Sequence, residues 1–401
     1  MFPKGFKTAG ARGGISKKKD KKDTALFYSE FPCAAAGMFT NNLVKAAPVL
    51  VSTEHLKKSA SDIRAVIANS GCANACTGER GLADARETCS YAAKKLALNQ
   101  NQVLVASTGV IGQFLPMKAV KSGIDILLGS AGSGPENFDS ASRAIMTTDL
   151  IPKVSSAQVK ISGKTVSIWG CVKGSGMIHP DMSLPHATML AFILTDAAID
   201  KKTLASALSA AVENSFNCVS VDGDTSTNDS VFALANGASL CSKIKPGGRD
   251  FVLFSQALGK VCLELAKLIA LDGEGATRLV EIRVMGAGSR ADAKKIASTI
   301  ATSPLVKTAI FGNDANWGRI LAAAGRAGVA INPSKVDIRI GGLKVASKGM
   351  ALNFSEAAAK KILTQKEILI TLDLNMGSSF CSYYTCDLSF DYIKINASYR
   401  S

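Results

Sequence analysis

Nowhere in this 401-residue sequence does an apolar run approach the roughly 18 residues that a membrane-spanning helix requires. That argues against a membrane protein. The opening MFPKGFKTAG lacks the apolar core of a secretory signal, and the acidic Asp20 and Asp23 follow too soon for a transit peptide. A cytoplasmic location is the expectation. Histidine is scarce, with three in the chain. The ten cysteines (Cys33, Cys72, Cys76, Cys89, Cys171, Cys218, Cys241, Cys262, Cys381 and Cys386) are scattered among apolar or small residues. Neither Cys72 with Cys76 nor Cys381 with Cys386 has a zinc or redox spacing, so reduced, buried thiols and no metal are expected. Basic stripes interleaved with aromatics and recognisable nucleic-acid modules are both missing, so nucleic acid is not an expected partner. No internal period suggests a solenoid.

What is present is 47% hydrophobic and 20% charged residues, a balance that suits a folded protein with a large core. The length allows one large or two medium domains. The formal charge is +15, with one local run at Lys17, Lys18, Lys19, Lys21 and Lys22 that reads as a solvated hairpin turn. The rest is spread out, which fits an anionic small substrate or a solvated surface. Residues 65–68 read as a short buried strand, 82–98 as an amphipathic helix and 102–106 as a strand. Met146 to Asp149 closes another helical stretch, and 166–172 is a strand. Helical spacing recurs at 202–216 and 254–270, and 279–285 alternates as a strand should. A compact α+β pattern follows. Helices are expected at 291–302, 318–326 and 354–362, and strands at 308–311, 336–340, 367–374 and 391–395. The expected domains are therefore 1–285 and 286–401.

One stretch organises the reading: CVKGSGMIHPDMSLPHATMLAFILTD, residues 171–196. It opens on a glycine-rich turn and closes on the apolar run Met189 to Leu194, a buried strand or the start of a buried helix. At the junction the small Ala187 precedes the hydroxyl of Thr188. A sharp bend before a hydroxyl and a rigid element after it are what a self-cleaving precursor needs. Ala187–Thr188 is thus read as a self-processing bond that leaves Thr188 as an N-terminal nucleophile. A threonine hydroxyl needs an adjacent base. The freed α-amine, with a pKa of about 7.7–8.0, supplies one without histidine.

Two other turns bear on that chemistry. Ser107-Thr108-Gly109 ends a strand and offers either an oxyanion hole or an ordinary strand-to-helix turn. SVDGDTSTND, 220–229, is a turn whose side chains bond the backbone, with an oxygen-lined cation site as the alternative. His179 and His186 with Asp181 between them invite a metal or a His–Asp base, but a solvated loop is the simpler reading.

The pieces together resemble the ornithine acetyltransferase family of arginine biosynthesis (glutamate N-acetyltransferase). The resemblance rests on PKGFKTAG, NSGCANACTG, STGVIG, MTTD, KGSGM, ATMLAFILTDA, DGDTSTND, DGEGAT, SPLVKTAIFGNDANWGRI and CDLSFDYIKINASYRS, in that order along nearly the whole chain. It implies an α/β (α+β) fold, an N-terminal-nucleophile-like αββα core with a smaller C-terminal α+β domain that completes the active site. It implies an acyltransferase that moves acetyl from N2-acetylornithine to glutamate through an acetyl-threonine, without a cofactor. Carried over by position, Thr188 is the nucleophile, Ala187 precedes the cut, and Thr108 and Gly109 form the oxyanion hole. Thr147, Lys173, Thr188, Glu274, Asn396 and Ser401 bind substrate. Acetyl-CoA as a second donor is left open. A dimer of cleaved heterodimers is the implied assembly. This chain departs from the family pattern at Ser183-Leu184-Pro185-His186, which lengthen the loop before the cut. It also departs at Ala315, where Pro is common, Cys72, where Asn is common, and Ser401, where Thr is common. Two rival readings are an N-terminal-nucleophile amidohydrolase or aminopeptidase, which uses water, and a basic binding protein without chemistry.

Overall fold

The computed structural model describes residues 2–180 and 189–398. Contacts divide the chain into two units. One holds Met1–Asn217 and Asp224–Leu265, the other Cys218–Gly223 and Ala266–Tyr399.

The first unit begins with β1 (Phe6–Ala11) and β2 (Thr24–Phe39), followed by α1 (Ala47–Ser59), β3 (Ile63–Cys72), α2 (Gly78–Leu96) and β4 (Val103–Val110). Next come α3 (Met117–Ser130), α4 (Pro135–Ala144), β5 (Lys153–Ile161), β6 (Lys164–Lys173), β7 (Leu190–Thr195), α5 (Lys201–Glu213) and β8 (Ser230–Ala235). The helix α6 (Arg249–Leu271) crosses the division between units. Strand order is β4-β3-β2-β8-β7-β6-β5, with β1 on β2. The long β2 serves both halves of this sheet. Thr24 to Tyr28 pair with β3, and Ala34 to Phe39 pair with β8. The register breaks between Tyr28 and Cys33, where Pro32 has no N–H to offer a ladder.

Period-two alternation assigns each strand two faces. On β3 and β4, Val66, Ala68, Leu104 and Ala106 join Phe27, Phe192 and Phe232 in a core between the two sheet halves. Phe27 stacks on Phe192 at 4.3 Å between ring centroids. The alternate residues, Ala65, Ile67, Val103 and Val105, face Val51 of α1, Cys89 of α2 and Ile124 of α3. On the opposite outer face α5 packs against β2 and β8. There α6 lies so close to β6 that a Cβ on Gly170 would sit 3.0 Å from Leu265 Cδ1. The result is the αββα layering that the resemblance implied. It also decides the Met189–Leu194 run. β7 is a strand buried on both faces, parallel to β8, and such strands read as unbroken apolar runs.

The second unit contains β9 (Leu279–Ala287), α7 (Arg290–Ala301), α8 (Pro304–Phe311), α9 (Trp317–Gly325), β10 (Asp337–Ile340) and β11 (Leu343–Ser347). It ends with β12 (Met350–Ala351), α10 (Glu356–Leu363), β13 (Glu367–Asp373), β14 (Ser379–Cys386) and α11 (Phe390–Ser398). Its sheet order is β12-β11-β10-β13-β9-β14. Val280, Ile282, Val284, Ile368, Ile370 and Leu372 pack against Ile296 and Ile300 of α7 and Leu363 of α10.

Two expected strands are helices. Residues 308–311 end α8, which starts at Pro304 after Ser303, a Pro-at-first-turn signal that outweighs the short apolar run. Residues 391–395 lie in α11, where Ser389 Oγ accepts from Asp391 N–H at 3.2 Å. The expected lysine hairpin is present, since β1 and β2 pair antiparallel with Ala11 opposite Thr24. Its loop is tied down rather than merely solvated. Asp23 accepts from the N–H groups of Gly13, Gly14, Ile15 and Ser16 at 2.6, 3.1, 2.7 and 2.8 Å.

Candidate active site

Four of the sequence-predicted residues are gathered where β4 and β6 end and α4 gives way to β5. β3 and β4 run parallel, and their register breaks where Cys72 faces both Thr108 and Val110. Such irregularities re-aim the backbone near functional sites. Gly109 has φ +132°, and a Cβ there would lie 2.4 Å from the Gly71 carbonyl carbon, so only glycine fits. Beside it, the buried Thr108 hydroxyl accepts from Lys173 Nζ at 3.3 Å. A hydroxyl that accepts from an ammonium keeps its own proton to donate. Thr108 can therefore present an O–H to a developing oxyanion.

Asp149 is the hub that the sequence reading did not single out. Its carboxylate accepts from Thr147 N–H at 2.9 Å, Gly174 N–H at 2.7 Å and Lys153 Nζ at 2.6 Å. The Asp149 and Lys153 side chains are both fully buried. Burial alone would raise this carboxyl. The Lys153 and Lys173 ammoniums and the Gly174 N–H outweigh it and hold Asp149 well below the usual carboxylate range. Asp149 thus fixes the backbone of Thr147 and of the turn after Lys173 in one frame. The only sequence signal was its place at the end of MTTD.

Asp229 is the opposite case. Burial pushes its carboxyl well above the normal range, against the pull of Lys173 and the Ser226 N–H. Among the described residues its Oδ2 is buried without a hydrogen-bond partner. The burial of Asp229 therefore favours the protonated, neutral form. It stands at the entry to β8, where Ser230 N–H donates to Met189 O at 2.6 Å, so the chain enters β7 beside it. The turn before it bonds its own neighbours, as expected. Asn228 Nδ2 donates to Ala73 O and Ser107 O at 2.6 and 2.8 Å, tying the turn to the end of β4. Among the described residues no group of three or more His, Cys, Asp or Glu could hold a metal ion. His55 is a core residue, its Nδ1 2.7 Å from Val103 O.

The second unit brings together two more of the predicted residues, 122 positions apart. Asn396 Nδ2 donates to Glu274 Oε2 at 2.9 Å and to Tyr392 O at 3.0 Å. The Glu274 loop is docked on the start of α11. Ser389 Oγ donates to Gly275 O at 2.6 Å, and Asp387 accepts from Thr277 N–H at 2.8 Å. Ala187, Thr188, Ser401, Asp181, His186 and the Ser183–His186 insertion lie outside the described residues.

The ArgJ family model matches residues 7–401. The chain belongs to the ArgJ family. Arginine biosynthesis bifunctional protein ArgJ of Symbiobacterium thermophilum is 49% identical over 400 residues, covering 100% of this chain and 98% of its own. ArgJ of Thermotoga neapolitana is 46% identical, with all of both chains covered. The crystal structure of ArgJ from Bacillus halodurans is 44% identical with a TM-score of 0.52 and covers 53% of this chain and 100% of its own.

Proposed function

We propose that the protein transfers the acetyl group of N2-acetylornithine to glutamate through an acetyl-enzyme on Thr188, after cutting itself between Ala187 and Thr188. Membership of a family whose relatives are named for arginine biosynthesis supports the pathway. The observation that carries the mechanism is the Lys173–Thr108 contact beside Gly109, which leaves one O–H ready for an oxyanion. The solved relative's chain is wholly covered by about half of this one, the share a cut at Thr188 would leave C-terminal to it, and this supports processing.

In the proposed reaction, the Thr188 α-amine takes the hydroxyl proton as Oγ attacks the acetyl carbonyl. The oxyanion accepts from Gly109 N–H and Thr108 O–H. The C–N bond then breaks, the Thr188 ammonium protonates the departing nitrogen, and ornithine leaves. The glutamate α-amine attacks the acetyl-threonine ester in turn and returns the hydroxyl. Lys173 is assigned to the substrate carboxylate. Thr147, Ser401 and the Glu274–Asn396 pair are assigned to substrate binding, the carboxylate of the pair suiting a side-chain ammonium. Every proton is supplied by these groups, so the chemistry needs no cofactor. The relatives' designation as bifunctional supports a second acetyl donor, for which acetyl-CoA would form the same acetyl-threonine. A cytoplasmic location and a dimer of cleaved heterodimers belong to the same proposal.

Intact-mass spectrometry tests it first. The purified protein should yield two fragments, one beginning at Thr188, and Thr188→Ala should stay whole. Mixing N2-acetylornithine with the enzyme should release ornithine and give N-acetylglutamate only when glutamate is added. Free acetate as the main product would instead favour an amidohydrolase, and a whole, fully active chain would overturn the scheme.

A further inference from the structure

The lysine run 17–22 has no part in the function described so far, yet one member turns inward. Lys21 is half-buried, and its Nζ lies 3.4 Å from the carbonyl of Thr147, one of the proposed substrate-binding residues. That contact is long for a hydrogen bond to a cation, and among the described residues no carboxylate lies within salt-bridge distance of this ammonium. Its loop is built rather than loose, because Asp23 gathers four successive N–H groups of the same hairpin. Its neighbour Lys22 points elsewhere, to Ser140 Oγ at 2.6 Å. A cation held on a fixed loop against Thr147, and close enough to feel Lys173, is placed to receive an anion.

We infer that Lys21 is a further substrate-binding residue, which with Lys173 forms a two-ammonium cradle for the α-carboxylate shared by the acetyl donor and acceptor. The inference rests on the acetyl-transfer reading and deepens it. Electrostatics give it a signature. Burial and the charges of Lys18 and Lys173 lower the Lys21 pKa to about 8, against the opposing pull of Asp149 and Asp23. Lys21 is therefore charged below about pH 8 and neutral above it. Carboxylate binding should weaken as pH rises through that value. An unperturbed α-amine titrates in the same range, at about 7.7–8.0, but that of Thr188 acts on the chemical step. Its deprotonation raises kcat, whereas loss of the Lys21 charge raises KM.

The test compares wild type, Lys21→Met and Lys21→Arg with N2-acetylornithine and with its carboxamide, across pH 6.5–9.5. Hydrogen bonds from charged groups are strong enough that Lys21→Met should raise KM for the acid about tenfold or more at pH 7. Its kcat should stay within about twofold, and its preference for acid over amide should shrink. Lys21→Arg, which stays protonated, should keep KM low and flatten its rise above pH 8. Unchanged KM and acid–amide preference in Lys21→Met would overturn the assignment, as would a loss confined to kcat. Calorimetric binding of the same two compounds to the uncut Thr188→Ala protein, with and without Lys21→Met, reads the cradle without turnover. An absence of acetyl transfer in wild type would then sink the acetyl-transfer reading, while equal acid affinity with and without Lys21→Met would sink the Lys21 assignment.

Discussion

Thr108, Asp149 and Asp229 show how burial gives similar side chains different tasks. Thr108 accepts from Lys173 and keeps its proton, so under the proposed oxyanion role its removal should act on the transition state rather than on binding. Losing one oxyanion donor costs roughly 10²–10³ in kcat. Thr108→Ala should show that fall with little change in KM, and Thr108→Ser should recover most of it. The two aspartates differ in charge. Asp149 has its pKa lowered, so it stabilises the fold above its unfolded value of about 3.9 and loses that contribution as pH falls through the folded value. Asp149→Asn removes the carboxylate from a fully buried ion pair with Lys153 and should cost about 3–5 kcal/mol at pH 7. Asp229 has its pKa raised, so its favourable contribution is complete below about pH 3.9 and declines as pH rises toward the folded value. Asp229→Asn should therefore be neutral or stabilising at pH 7 and lose that advantage at pH 3. Urea unfolding of both variants at the two pH values checks the contrast. Thr108 and Lys173 were legible because their motifs carry a recognisable order. Asp149 was not, because what makes it a hub is burial together with Gly174 N–H and the Lys173 charge, which the fold brings from about 25 residues away.

Elements were readable where their boundaries carry local chemistry. α5 begins after Asp200, whose carboxylate accepts from the N–H groups of Lys202 and Thr203, both at 3.0 Å. Asp200→Ala should remove that cap and lower stability by about 1 kcal/mol, seen as a shift in the denaturant midpoint at constant slope. The helix spacing of α2 and α7 and the alternation of β9 were legible for the same reason, since one face of each is buried. Short segments misled. Thr308 to Phe311 is a short, mostly apolar run that suits a strand as well as a helix, but Pro304 had already started a helix. Asp391 to Ile395 alternates only from Ile393 to Ile395, and Phe390 and Ile393 stand exposed on α11, so burial does not dictate the pattern there. The Met189–Leu194 run could be either, because a strand covered on both faces has no polar side to reveal its period.

At the scale of the whole molecule, the packed cores exclude water from almost every thiol. Of the ten cysteines, all free, Cys76 is exposed and the other nine are buried. Burial pushes Cys33 and Cys262 up to about 12, which keeps them unreactive thiols near neutral pH. A native sample titrated with a thiol reagent should therefore react quickly at one site per chain and at ten once denatured. Several fast sites in the native protein would contradict the packing described here. The hydrophobic content foretold a large core, but its division into an inter-sheet aromatic layer and outer helix layers depends on β2 changing partners at Pro32. No window of sequence contains both sets of partners.

By itself the sequence determined what depends on neighbours along the chain: the helix faces, the lysine hairpin, the glycine turns and the ordered motifs that mark the ArgJ family. Only the tertiary structure decided which polar groups lost their water and what replaced it. Asp149 and Asp229 are the same residue to any local rule. One meets an ammonium and two amide protons, which hold its pKa down, while burial pushes the other's up and its Oδ2 has no hydrogen-bond partner among the described residues. Charge state follows the field and solvation of the folded site, which are set by residues far apart in the chain.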